Sequence, residues 1–251
     1  MNSWSQKRKL IYGGSTILVI VVVLGLLGWK LFYVAPTCFD GLKNGSETGV
    51  DCGGSCKKLC PSAFITPKED WTSLEETAPG LYNVAAYVEN HNIQGEAFGV
   101  PYHVDLFDAN SVKITGYDGT FTLPPNRNTL AFKAIVNTGQ QIPAKAVFQI
   151  TGVPDWHKQS DRLSKITILD KSYSEDANSS VLTVTLKNND VEPMGRLTVY
   201  VVLYDKTAAV IGFSSTVIDS IAAGATVKAP FTWGSSHNGA VISIEVLPVA
   251  E

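Results

Sequence analysis

The chain has 251 residues, 45% of them apolar, which is ample for one or two ordinary folded domains. Its formal net charge is −3 and its one basic run is Lys7-Arg8-Lys9. Charge therefore excludes nucleic acid as a partner, since a phosphate backbone needs a surplus of cations.

In chain order, residues 1–9 read as a basic cytoplasmic N-terminus and residues 10–34 as a transmembrane signal-anchor helix. Leu10 to Trp29 holds no charged side chain, and about twenty residues at 1.5 Å rise cover a bilayer core of roughly 30 Å. A cleaved signal peptide also starts basic and turns apolar. This run is too long for that, and its exit, Leu31-Phe32-Tyr33-Val34-Ala35-Pro36, lacks a small-x-small cleavage site. Trp29, Phe32 and Tyr33 suit the far headgroup level, where amphipathic rings settle. The expectation is a single-pass protein of the cell membrane with its C-terminal bulk extracytoplasmic, the membrane itself being one partner.

Residues 35–66 contain all four cysteines, Cys38, Cys52, Cys56 and Cys60. An even number in a short exported segment predicts two disulfides, with three pairings open. A four-thiolate zinc site is the rival, and export weighs against it. Gly41, Gly45, Gly49, Gly53 and Gly54 call for a tightly turning loop with little regular structure. Asp40, Asn44, Glu47 and Asp51 bring side-chain oxygens close together, as a hard cation such as calcium requires, though not at EF-hand spacing. Turn capping accounts for the same residues, because Asp and Asn bond their own backbone in turns. No cofactor is required by anything in the chain, and calcium is the one ion these residues invite.

From Tyr82 onward the sequence reads as strands, with strict alternation in Val181-Leu182-Thr183-Val184-Thr185-Leu186-Lys187. Val84 to Asn90 lines up with Leu182 to Asn188, and Val104 to Asp108 with Val201 to Asp205. The fold class predicted is an all-β ectodomain of two tandem β-sandwiches, at 67–155 and 163–251, joined by a short polar linker at 156–162. Relative motion of the two is the default for such a linker. Asp108 and Asp205 are expected to open turns. Trp71, Trp156 and Trp233 are expected in cores or between domains.

Two resemblances rest on these residues. The run Asp40-Gly41-Leu42-Lys43-Asn44-Gly45-Ser46-Glu47-Thr48-Gly49-Val50-Asp51-Cys52-Gly53-Gly54-Ser55-Cys56 resembles a short cysteine-rich motif of bacterial surface proteins. Thr198 to Asp205, followed by Val210-Ile211-Gly212 and by Ile221 to Val227, resembles the FxLYD type of bacterial surface domain. Val201 stands where that family has Phe, and the first copy has Val104 and Phe107. The resemblance implies an immunoglobulin-like sandwich in the cell envelope and names no ligand.

No hydrolytic or metal motif surrounds His91, His103, His157 or His237. His103 shares a strand face with Asp105, which makes a charge-assisted contact there the natural expectation. The function expected is binding or adhesion without catalysis, toward an extracytoplasmic protein or glycan. The alternative is a structural subunit of an envelope membrane complex.

Overall fold

The computed structural model describes residues 3–33, 35–158 and 162–250. Its one long helix, α1 (Ser3–Phe32), starts earlier than the apolar run and carries Lys7, Arg8 and Lys9 on its first turns. The stretch Gln6–Phe32, 27 residues, is long and apolar enough to cross a membrane, and none of it is buried against the rest of the protein. Among the other described residues, 35–67 form turns and isolated bridges with one 3₁₀ turn, and the rest is all-β apart from a second short 3₁₀ turn.

The first sandwich pairs two antiparallel sheets. One has the order β1 (Lys68–Ala78), β2 (Leu81–Glu89), β5 (Asn128–Asn137). The other runs β4 (Lys113–Leu123), β3 (Gly95–Phe107), β6 (Lys145–Ile150), and β7 (Trp156–Lys158) adds to the start of β3. The second half repeats this order. There β8 (Ile166–Glu175), β9 (Ser180–Asn188) and β12 (Thr226–Trp233) form one sheet in the order β12-β9-β8, and β11 (Val210–Ile218), β10 (Leu197–Tyr204) and β13 (Ser243–Ala250) the other.

Alternation sets the inward faces. Val84, Ala86 and Val88 of β2 face Val104 and Leu106 of β3 in the first core, with Phe121, Phe148 and Trp156. Leu182, Val184 and Leu186 of β9 face Val199, Val201 and Leu203 of β10 in the second, with Phe231 and Trp233. Full burial of a Val or Leu side chain in these cores contributes about 1.5–3 kcal/mol relative to exposure.

The aligned polar positions play the same parts in both halves. Asn188 ends β9 and Asn90 follows directly on β2, and both are buried. Asn90 donates to the carbonyls of Gly95 and Pro124 and accepts from Asn92 N–H. Asn188 donates to Glu192 and Ile221 carbonyls and accepts from Asp190 N–H. Asp108 and Asp205 each collect backbone N–H groups two and four residues on, as turn openers do.

Three placements differ from the sequence reading. β1 and the start of β8 precede any strand pattern read there: charged and polar side chains fill most of β1, and the bulge between Ile168 and Asp170 breaks the alternation of β8. Trp156, His157 and Lys158, read as linker, belong to the first sandwich, where Trp156 is 3% exposed in the core; residues 159–161 of that linker lie outside the described residues. The two sandwiches are also not loosely strung. Ala85, Tyr87 and Leu130 on the outer face of β1-β2-β5 pack against Val202, Phe213 and Leu247 on the outer face of β11-β10-β13. Trp71, Phe132, Tyr200 and Tyr204 fill in around them.

Candidate functional site

Two places concentrate polar chemistry. The first is the cysteine-rich segment. Its sulfurs pair as Cys38–Cys56 and Cys52–Cys60, which selects one of the three open pairings and leaves no thiolate there for zinc. Glycine is required at Gly54, whose φ is +57° and whose added Cβ would lie 1.9 Å from the Ser46 carbonyl oxygen. The segment is strapped to the first sandwich. Leu59 N–H donates to Trp156 O at 2.8 Å, Lys158 N–H to Lys57 O at 2.7 Å, and Phe64 stacks on Trp156 at 4.8 Å.

Asp40, Asn44, Glu47 and Asp51 do converge, and backbone donors occupy their carboxylates. Asp51 accepts from Asp40 and Gly41 N–H, and Glu47 from Asn44 and Asp51 N–H. Asp40 accepts from the Asn44 amide and from Leu42 and Thr37 N–H, which together hold its carboxyl below the usual range. Asn44 Oδ1 is buried without a partner. Glu47 lies within 4.8 Å of Cys38 and Cys56 sulfur, but both sulfurs are spent in their disulfide. As arranged, the set locks a turn; a calcium ion would have to displace these donors.

The second place is the junction of the sandwiches. Glu245 of β13 accepts from Tyr87 of the first sandwich and from Tyr204 of the second, each at 2.9 Å. Burial, then the neighbouring Glu245, pushes both phenols above their ordinary range. Asn128 donates to the Tyr87 oxygen at 2.5 Å. Glu75 enters from β1 with one carboxylate oxygen buried and unpartnered. Burial raises its pKa to about 7, against the opposing pull of Phe213 N–H and the Asn83 side chain. Glu75, Tyr87, Asn128 and Glu245 were not singled out from sequence. The signal available was the loss of alternation in Val84-Ala85-Ala86-Tyr87-Val88 and Val201-Val202-Leu203, where consecutive residues are all buried.

The histidines fall into structural settings. His103 sits between Asp118 at 2.8 Å and Asp105 at 2.9 Å, and these carboxylates raise its pKa, Asp118 first. His237 meets the Tyr173 and Ser180 hydroxyls at 3.0 and 2.9 Å, and burial lowers its pKa. Ser180 is fully buried and its hydroxyl reaches the Ser235 carbonyl at 2.7 Å. Glu175 accepts the backbone N–H of His237 rather than its ring. Serine, histidine and glutamate thus meet in an arrangement that pins a loop, and the Ser180 oxygen is enclosed within it.

No protein-family model matches the chain, and no curated protein matches it. Among solved structures it is similar to IrmA from Escherichia coli, with 19% identity over 34% of this chain and 75% of that one, at a TM-score of 0.28. It is also similar to a β-glucuronidase of glycoside hydrolase family 2, with 10% identity over 87% of this chain and 29% of that one, at 0.24. A putative β-galactosidase from Bacteroides fragilis matches at 11% identity over 69% of this chain and 33% of that one, at 0.22. The chain spans less than half of either glycosidase, and likenesses at these scores carry no argument about activity.

Proposed function

We propose that this is a single-pass, membrane-anchored protein that holds two copies of one immunoglobulin-like, FxLYD-type module outside the cell as a binding or adhesion unit. The observation that carries this reading is where the clustered polar side chains of the sandwiches spend their hydrogen bonds. Asn90, Asn188, Glu175, His237 and Glu245 are each wired into bonds that hold turns, loops or the module junction. What is left for function is surface: loops and the outward sheet faces, which suit a protein or glycan partner. The paired cysteines fit an oxidising compartment and the apolar helix fits an anchor.

The test is crosslinked affinity capture from native membranes, run with the full-length chain and with a chain starting at Ala35. Retention of the same specific protein or glycan by both supports the binding unit. Recovery of membrane proteins by the full-length chain alone replaces it with a structural subunit of an envelope complex.

A further inference from the structure

Leu59 and Phe64 of the cysteine-rich segment pack on the first sandwich, and other large apolar side chains turn outward. Phe39 is 92% exposed, and Leu42 and Val50 are each 57% exposed. They belong to one patch of chain, because the Asp51 carboxylate accepts from Asp40 and Gly41 N–H and so draws the turn at residues 39–42 onto the turn at 50–51. The disulfide from Cys38 to Cys56 fixes the same region from the other side.

Charge is sorted in the opposite sense to the apolar groups. The carboxylates of Asp40, Glu47 and Asp51 are turned onto backbone N–H donors, whereas Lys43 and Lys57 are exposed. What the segment offers outward is therefore an apolar tip with the exposed Lys43 ammonium next to Leu42. That combination matches the headgroup region of a bilayer containing anionic lipid, where rings and aliphatic chains enter the interface and ammonium groups meet phosphate.

Reach selects the same occupant. Trp29 and Tyr33 stack at 5.0 Å at the end of α1, which closes at Phe32. Phe39 follows seven residues after Phe32, so even a fully extended chain holds it within about 25 Å of the helix end.

We propose that the cysteine-rich segment is a second membrane contact, with Phe39, Leu42 and Val50 seated in the headgroup region of an anionic lipid surface beside the exit of α1. The inference rests on reading α1 as an uncleaved anchor. Helix and foot together would hold the sandwiches at a fixed height and tilt over the bilayer.

The experiment uses the full-length chain in phosphatidylcholine vesicles with and without phosphatidylglycerol. Flotation after an alkaline wash comes first; failure to float overturns the anchor and the inference with it. In floated samples, Phe39→Trp is compared with the parent chain, using lipids brominated near the headgroup and aqueous iodide. The expected result is a difference signal quenched by about half by the shallow bromines and shielded about two-fold from iodide. Leu42→Trp should behave alike, and non-reducing electrophoresis verifies both disulfides in each variant. Floated protein whose added tryptophans respond to iodide alone overturns the lipid contact while leaving the anchor intact. Equal bromine quenching with and without phosphatidylglycerol overturns the anionic preference.

Discussion

The two outer faces of the first sandwich obey different rules. The face on β1-β2-β5 carries Trp71, Ala85, Tyr87, Leu130 and Phe132 and is covered by the second sandwich. The face on β4-β3-β6 carries His103, Asp105, Asp118 and Lys113, linked by ion pairs at its surface. The second sandwich shows the mirror distribution. Its β11-β10-β13 face is apolar and covered, and its β12-β9-β8 face is lined by Thr183, Thr185, Thr226, Lys228 and Thr232. Composition of the outer face, rather than the linker between the halves, decides whether two sandwiches dock. A sheet with both faces apolar has no stable option but a second cover.

Substitutions that discriminate the covered from the open faces test this contrast. The largest effect is expected for Phe213→Ala, which is 1% exposed at the junction and should cost about 3–5 kcal/mol in denaturant unfolding. Next comes loss of the Cys38–Cys56 bridge, whose ends are 18 residues apart. Its removal should cost the cysteine-rich segment roughly 3 kcal/mol on the polymer model, read as faster proteolysis there while the sandwich strands stay protected.

Glu75 gives the pH dependence. Its folded pKa of about 7 lies above the ordinary 4.5, so the folded state binds the proton more tightly. Its contribution to stability is greatest below about pH 4.5 and is lost as pH rises through 7. Glu75→Gln should therefore stabilise the protein by about 2 kcal/mol at pH 8, with the gain fading by pH 5. Asp51→Ala should loosen the cysteine-rich turn by about 1–3 kcal/mol, since it leaves Asp40 and Gly41 N–H without an acceptor. An equal loss in calcium and in chelator marks a turn lock, and a loss seen in calcium alone marks an ion site. The smallest effect belongs to the open face, where Thr183→Ala should stay within about 0.5 kcal/mol.

Much of the fold was legible because period-2 alternation and turn residues fix local choices. Leu182, Val184 and Leu186 announce a half-buried strand, and Asp205 announces the turn that follows β10. The cysteine count announced disulfides, while their pairing depended on a loop path that only the folded chain defines. β1 escaped notice because its sequence, Lys68 to Ala78, is mostly polar and takes its place by pairing with β2 rather than by its own pattern. Tyr204 illustrates the harder limit. Period-2 alternation puts Tyr204 on the strand face opposite Leu203, but which surface that face meets depends on Tyr87 and Glu245, which lie 117 and 41 positions away in the chain.

Docking of the two sandwiches into one body rests on the apolar faces they bury against each other. It is tested most directly by a double-mutant cycle across the junction, with Trp71→Ala in the first sandwich and Phe213→Ala in the second, whose rings lie 6.5 Å apart. Docking predicts a coupling energy of about 1 kcal/mol or more in denaturant unfolding. Strictly additive losses would contradict it and return the protein to two sandwiches moving independently on a linker.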